Sequence, residues 1–421
     1  MQKGHFPGFD GLRLIAALAV LFSHAFVVLT GVSNSTLPAG VVQFFDELGG
    51  YAVATFFVIS AFLLTRSLTR NSDPVSYGVN RALRLLPGFV FYVVVAGLLM
   101  GPLFTTRSWA DYFGDVETVN FFSLGLNSMH SLTLPGVFER EGEMSSVING
   151  SLWSLHYEAL SYLFLITLWI WLRTGRAVAT AAVIVVLLTA GTKPIYRDLG
   201  SIAYTLPYFV SGILMYFVHV KFGVRGLLAA ISVAAFAMSL FLGLRHQIAF
   251  PLFGAYAVVW IGEQRFLTNF VGGIGDLSYG IYLIGWPAEQ MVVQMTGTRS
   301  PWVVMVLALP IAVVYALVSY RLVEKPAMER RNTASKKIQA GIDRVVEWTG
   351  VSKDAAAWSA KIAFVIGGIA LLLSESRWWY LMTSLGWLLA ITIMAALLGS
   401  LIHRAMGGPR KGAAIEAAAG D

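Results

Sequence analysis

Arg13, His24 and Glu158 stand inside stretches that otherwise carry apolar side chains. A charge held at mid-bilayer costs about 3 kcal/mol even on lenient insertion scales, so such residues point to chemistry or transport. The residue types suit proton transfer. Histidine changes charge near neutral pH and is the commonest general base. A carboxylate can orient an imidazole or take a proton itself, and an arginine can hold an anion or polarise a carbonyl.

Arg13 and His24 lie eleven residues apart in one apolar segment. Eleven helical steps make three turns plus about 20°, so both face one side, about 16 Å apart along the axis. A cation at the mouth and a titratable base at depth suit a polar tunnel. The bland alternative is a snorkelling arginine and a core histidine bonded to another helix. Residues 151–158 read Ser-Leu-Trp-Ser-Leu-His-Tyr-Glu. Ser154 and Glu158, four apart, share a face, Ser151 lies close to it, and His156 points elsewhere as a structural or boundary residue. Glu158 serves equally as an ion-pair partner that pins two helices, for instance through Arg13. Arg81 and Arg84 lie one turn apart on one face at the start of a span. They form a fork for phosphate or an ordinary basic topology signal. Tyr279 and Tyr282 share a face of a later segment that Pro287 should kink.

The elements that must carry these residues are membrane helices. The chain has 421 residues, 57% hydrophobic and 13% charged, where a soluble protein carries about 25% charged residues. Apolar runs suited to a hydrocarbon core of about 30 Å fall near 11–30, 51–65, 86–104, 152–172, 177–191, 202–220, 226–244, 247–262, 272–296, 302–322, 361–375 and 378–402. Basic residues alternate with them. Arg66, Arg70, Arg81, Arg84, Lys221, Arg225, Lys336 and Lys337 mark one side, and the other side holds only scattered ones such as Arg107, Arg245 and Arg299. That bias places both termini in the cytoplasm. It also explains the net charge of +7 without nucleic acid. Segment 12–30 lacks a cleavage site and reads as a retained helix rather than a signal peptide.

The fold expected is therefore an all-α polytopic membrane protein, with a ten-helix core plus a two-helix C-terminal appendage. Its divisions are a core at 1–330, a cytoplasmic linker helix at 331–358, the appendage at 359–404 and a disordered Gly/Ala-rich tail at 405–421. Residues 105–150 form the longest outer loop, of a length that is commonly functional. The chain has no cysteine, which excludes disulfides and thiolate nucleophiles. Its histidines show no metal-binding spacing, so no metal is expected. No internal repeat is found, which counts against a transporter built from inverted halves.

These pieces, in this order, resemble the acyltransferase 3 family of membrane proteins. The likeness covers roughly 6–328. It includes the opening Phe-Asp-Gly-Leu-Arg-Leu-Ile-Ala-Ala-Leu from Phe9 to Leu18, the Arg-x10-His met by Arg13 and His24, and the Arg-x-x-Arg met by Arg81 and Arg84. It also includes Phe-Phe-Val-Ile-Ser-Ala-Phe-Leu-Leu at 56–64, with Ala61 in place of glycine, and the Ser-Leu-x-x-Glu of Ser154, Leu155 and Glu158. A late stretch with Ser278, Tyr279, Ile281, Tyr282, Leu283 and Pro287 completes it, with Gly285 where that motif usually has histidine.

The resemblance implies acetyl-CoA or another acyl-CoA as co-substrate, no permanently bound cofactor, and a glycan or lipid-linked glycan as acceptor. It implies residence in the inner (plasma) membrane, within the lipid bilayer. His24 would be the base, with Arg13, Glu158 and Ser154 as its catalytic companions. Arg81, Arg84, Tyr279 and Tyr282 would receive the donor, with the phosphates at the arginines. Direct transfer and an acyl-histidine intermediate are both open. The rival is a proton-coupled secondary transporter exporting a glycan precursor or an organic acid, because buried Arg, His and Glu serve that equally. A non-catalytic envelope scaffold is the third possibility.

Overall fold

The computed structural model describes residues 6, 8–29, 39–124, 133–139, 146–172, 178–180, 182–183, 201–264, 266–267 and 275–350. The span expected at 177–191 lies largely outside them. Those at 361–375 and 378–402, and the tail at 405–421, lie wholly outside.

Where the expected runs are described, they are helical. We number the helices α1 (Gly8–Val27), α2 (Ala39–Arg70), α3 (Pro74–Phe104), α4 (Trp109–Gly114), α5 (Val116–Leu124) and α6 (Trp153–Leu172). There follow α7 (Ser201–Phe222), α8 (Gly226–Phe241), α9 (His246–Gly262), α10 (Ser278–Thr296), α11 (Pro301–Glu329) and α12 (Arg331–Thr349). Among the described residues, five stretches, within α1, α2, α3, α7 and α11, are long and apolar enough to cross a membrane. The protein is an all-α polytopic membrane protein. Among the described residues, the β contact is an isolated bridge between Thr105 and Val137.

Local chemistry sets the helix ends. The Asp73 carboxylate accepts from the amides of Val75 and Ser76 at 3.1 and 2.9 Å, with Pro74 at the first helical position. That satisfies two of the orphan donors at the start of α3, and proline has none to satisfy. Gly297, at φ 62°, ends α10 in the left-handed conformation that glycine adopts at no steric cost. Helix α2 extends well beyond its apolar run, because the polar residues at its ends are as compatible with helix as the apolar ones. The region 105–150 was expected to be loop, yet it folds α4 and α5. The Ser108 hydroxyl caps α4 through the Asp111 amide at 3.2 Å.

Three π-turns interrupt α3, α9 and α11, at Ala96–Met100, Phe250–Gly254 and Tyr320–Glu324. Each lies within two residues of a proline or contains one: Pro102, Pro251 and Pro326. A proline clashes with the carbonyl four residues back, and a widened turn relieves the clash.

The chain divides into two compact units, Met1–Arg331 and Asn332–Asp421. In the first, α10 is the central element: every residue from Ser278 to Gln290 is buried. It packs against α1 and α11, and Ala25, Val28 and Leu29 meet Trp286, Val292, Val304 and Ala308 there in one apolar cluster. The outward faces carry exposed Val90, Val94, Leu98, Leu103, Val306 and Val314. Lipid is the solvent that such faces require. The second unit is described only through α12 and Gly350.

Candidate active site

His24 sits one turn before the end of α1. Its Nδ1 lies 3.3 Å from the Ser151 hydroxyl, and the Trp286 ring meets its imidazole edge-on at 5.0 Å. Both neighbours are held in place by hydrogen bonds. Ser151 belongs to a single 3₁₀ turn, Gly150–Leu152, whose N-cap is Asn149. The Asn149 side chain accepts from the Ser151 amide at 2.9 Å and donates to the Leu283 carbonyl at 2.7 Å, so it ties this turn to α10. Tyr282, also on α10, donates to the Ser151 carbonyl and shares a 2.6 Å hydrogen bond with the Ser154 hydroxyl. Trp286 Nε1 and Gln290 Nε2 both donate to the Val147 carbonyl, at 3.1 and 3.0 Å. A hydroxyl at Nδ1 leaves Nε2 as the nitrogen available for proton transfer.

Glu158 lies two turns further along α6. Its Oε1 accepts from the Ser60 hydroxyl of α2 at 3.1 Å and from the Tyr162 hydroxyl. The Tyr162 carbonyl in turn accepts from the Tyr77 hydroxyl at 3.0 Å. The carboxylate is thus bonded to hydroxyls rather than to Arg13 or the His24 ring. The group beside the imidazole Nδ1 is the Ser151 hydroxyl.

Arg13, Arg81 and Arg84 lie toward the other end of the bundle. Arg13 pairs with Asp10 at 3.7 Å, one turn away on α1. The structure does not bring it to His24. Arg84 pairs with Asp276 and, at 3.8 Å, with Glu324. Its guanidinium also lies 5.7 Å from the Tyr279 ring, whose hydroxyl donates to the Leu85 carbonyl at 2.8 Å. The two carboxylates are held in turn. Ser278 donates to Asp276 through its amide at 3.1 Å and its hydroxyl at 2.5 Å, and the Ser319 hydroxyl donates to Glu324 at 2.8 Å. Glu324 is the last residue of a π-turn and is only 1% exposed. Arg81 turns the other way, its guanidinium 5.8 Å from the Tyr162 ring, and its buried Nε has no hydrogen-bond partner among the described residues.

The eight residues singled out in the sequence therefore divide three ways. His24, Ser154 and Tyr282 belong to one locus, joined through Ser151. Glu158 joins Arg81 through Tyr162. Arg84 and Tyr279 join the Asp276–Glu324 network at the basic end, where Arg13, paired with Asp10, also acts electrostatically on Asp276. Sequence reasoning did not single out Asn149, Trp286, Asp276 and Glu324 as site residues. It also passed over Glu289, which is fully buried on α10 with neither carboxylate oxygen bonded among the described residues. The signal available for Glu289 was a charge inside an apolar run, the same signal that marked Glu158. Gly285, at the position of the family's late histidine, faces Leu21: a Cβ built there would lie 3.3 Å from Leu21 Cδ1.

A family described as "Acyltransferase domain" matches residues 6–321. An "O-acetyl transferase" of Shigella phage Sf6 is 26% identical over 340 residues, covering 76% of this chain and 96% of that one. "Nodulation protein 10" of Rhizobium leguminosarum bv. viciae is 27% identical over 378 residues, covering 79% and 96%. No solved structure matches the chain. A family match over three quarters of the sequence makes the chain a member of the acyltransferase 3 family, an integral membrane acyltransferase.

Proposed function

We propose that the protein moves an acetyl or other short acyl group from cytoplasmic acyl-CoA to a hydroxyl of an extracytoplasmic glycan, across the inner membrane, with both termini inside. The observation that carries this reading is the two-ended arrangement on α1. Basic residues gather at the end expected to face the cytoplasm, and His24, held by Ser151 and Trp286, sits at the other. The name of the phage relative supports acetyl as the group moved.

In this reading the donor phosphates meet Arg81 and Arg84 and the acyl arm runs along α10 past Tyr279 and Tyr282. His24 Nε2 takes the proton of the acceptor hydroxyl as its oxygen bonds the thioester carbonyl carbon. The carbon–sulfur bond then breaks, and the thiolate recovers the proton from the imidazolium. Ser151 fixes the ring through Nδ1. Glu158, bonded to two hydroxyls, steadies the α2–α6 wall of the path, and Ser154 holds Tyr282.

Purified protein with labelled acetyl-CoA and envelope glycan tests this. Loss of a general base costs about 10²–10⁴-fold in rate. His24→Ala and His24→Gln should both lose transfer on that scale while still inserting and binding acyl-CoA. Near-native turnover by His24→Gln would make His24 a hydrogen-bonding residue and move the base elsewhere.

A further inference from the structure

Near the His24 end of α1 lies a cluster that the reaction as described does not use. The Trp153 and Tyr204 rings meet at 6.0 Å, and the Tyr204 hydroxyl lies 2.9 Å from His246 Nε2. Tyr51 meets the same imidazole edge-on at 5.7 Å. Asp46 and Glu47, one turn earlier on α2, are close enough to act electrostatically on both His246 and Tyr204. Asp46 is exposed and the other five are partly so.

Two glycines bring this cluster to the catalytic end. A Cβ on Gly49 would come within 2.5 Å of the Ser23 hydroxyl, and one on Gly50 within 2.9 Å of the Tyr204 hydroxyl. A side chain at either position would have to displace Ser23 or the Tyr204 hydroxyl, so the glycines let α1, α2 and α7 close to this distance. Ser23 adjoins His24, and Trp153 is two residues beyond Ser151. Aromatic residues at a membrane boundary usually form a belt facing lipid. These rings face one another and two carboxylates, an environment that lipid does not solvate.

We propose that this cluster is the acceptor subsite and that it takes a pyranose ring. The apolar face of the sugar stacks on Trp153 and Tyr204. Its hydroxyls donate to Asp46 and Glu47, which in their ionised form only accept. A neighbouring hydroxyl is thereby held toward His24. This inference rests on the glycan reading above and specifies its acceptor side.

The test uses the full chain in nanodiscs. The probe is the oligosaccharide mixture released by mild acid from envelopes of cells lacking this protein. Binding is followed by saturation-transfer NMR, and label transfer from acetyl-CoA is measured in parallel. Asp46→Asn with Glu47→Gln, and separately Trp153→Ala, should weaken binding about tenfold or more, the scale of losing one or two charge-assisted contacts. Trp153→Phe should retain most of it, and His24→Gln should bind as the native protein does. The carboxylate variant alters partly exposed side chains, so it decides the matter even if Trp153→Ala fails to fold. Native-like binding by the carboxylate variant, or no binding by the native protein, overturns the subsite. Binding that depends on the cluster without label transfer keeps the subsite and overturns the acyl-transfer reading; transfer with cluster-independent binding does the reverse.

Discussion

His24 acquires its meaning from residues far away in the chain. Its hydrogen-bond partner Ser151 is 127 positions distant. A helical wheel can place His24 on the face of Arg13, but it cannot say which loop returns to meet that face. For the same reason the sequence left open whether Glu158 meets the imidazole or an arginine, and it is bonded to Ser60 and Tyr162. Ser151→Ala should therefore slow transfer with little change in acyl-CoA binding, and should move the pH–rate profile, because the group that fixes the His24 ring is gone. An unchanged profile would leave Ser151 a packing residue. Arg81 and Arg84 should behave differently despite their shared motif. Arg84→Met leaves Asp276 and Glu324 without their cation, and removing one partner from a buried charge set costs about 3–5 kcal/mol. Adding Asp276→Asn and Glu324→Gln should recover much of that loss in thermal unfolding. Arg81→Ala should leave stability near native and weaken acyl-CoA binding; unchanged binding would return Arg81 to the role of a topology signal.

At the scale of elements, the helices were legible and their irregularities were not. Apolar runs gave the spans because a bilayer allows few other solutions. The π-turns left no comparable trace, since proline in a membrane helix also permits a plain kink. The junction of α2 and α3 offers a clean test. Burial alone would raise the Asp73 carboxyl. The Ser76 hydroxyl and the Ser76 and Val75 amides outweigh it and hold the group below the usual aspartate range. A carboxylate lowered in this way stabilises the fold above its unfolded value, and the contribution is lost as pH falls through the folded value. Asp73→Ala should cost about 1 kcal/mol near neutral pH. The difference from the native protein should shrink in acid, as followed by thermal melts across that range. A constant difference would assign the effect to helix propensity alone.

For the whole molecule, the basic end faces the cytoplasm and the His24 locus and the acidic and aromatic cluster lie toward the outer side only if α1 runs from inside to outside. The native chain has no cysteine, so single cysteines report topology without background. Ser108→Cys, before α4, should react with an impermeant maleimide in intact cells. Asn71→Cys, between α2 and α3, should react only after permeabilisation. The opposite pattern would invert the donor and acceptor ends together. Composition sufficed to read the class of protein, because 13% charge in 421 residues fits few alternatives. The pairing of elements around α10 did not follow from it, since 272–296 reads as one apolar run among twelve, and α10 is central because it is buried from Ser278 to Gln290.

The side chains that moor α10 end on main-chain oxygens. Asn149 reaches the Leu283 carbonyl, Tyr282 that of Ser151, Trp286 and Gln290 that of Val147, and Tyr279 that of Leu85. A carbonyl is the same acceptor whatever residue carries it. The mooring should therefore be lopsided under mutation. In a saturation scan, Val147, Leu283 and Leu85 should accept most apolar replacements, whereas Asn149, Tyr279, Tyr282 and Trp286 should accept almost none. Lineages of such a protein are then free to rewrite the receiving side of the frame while the donors stay fixed.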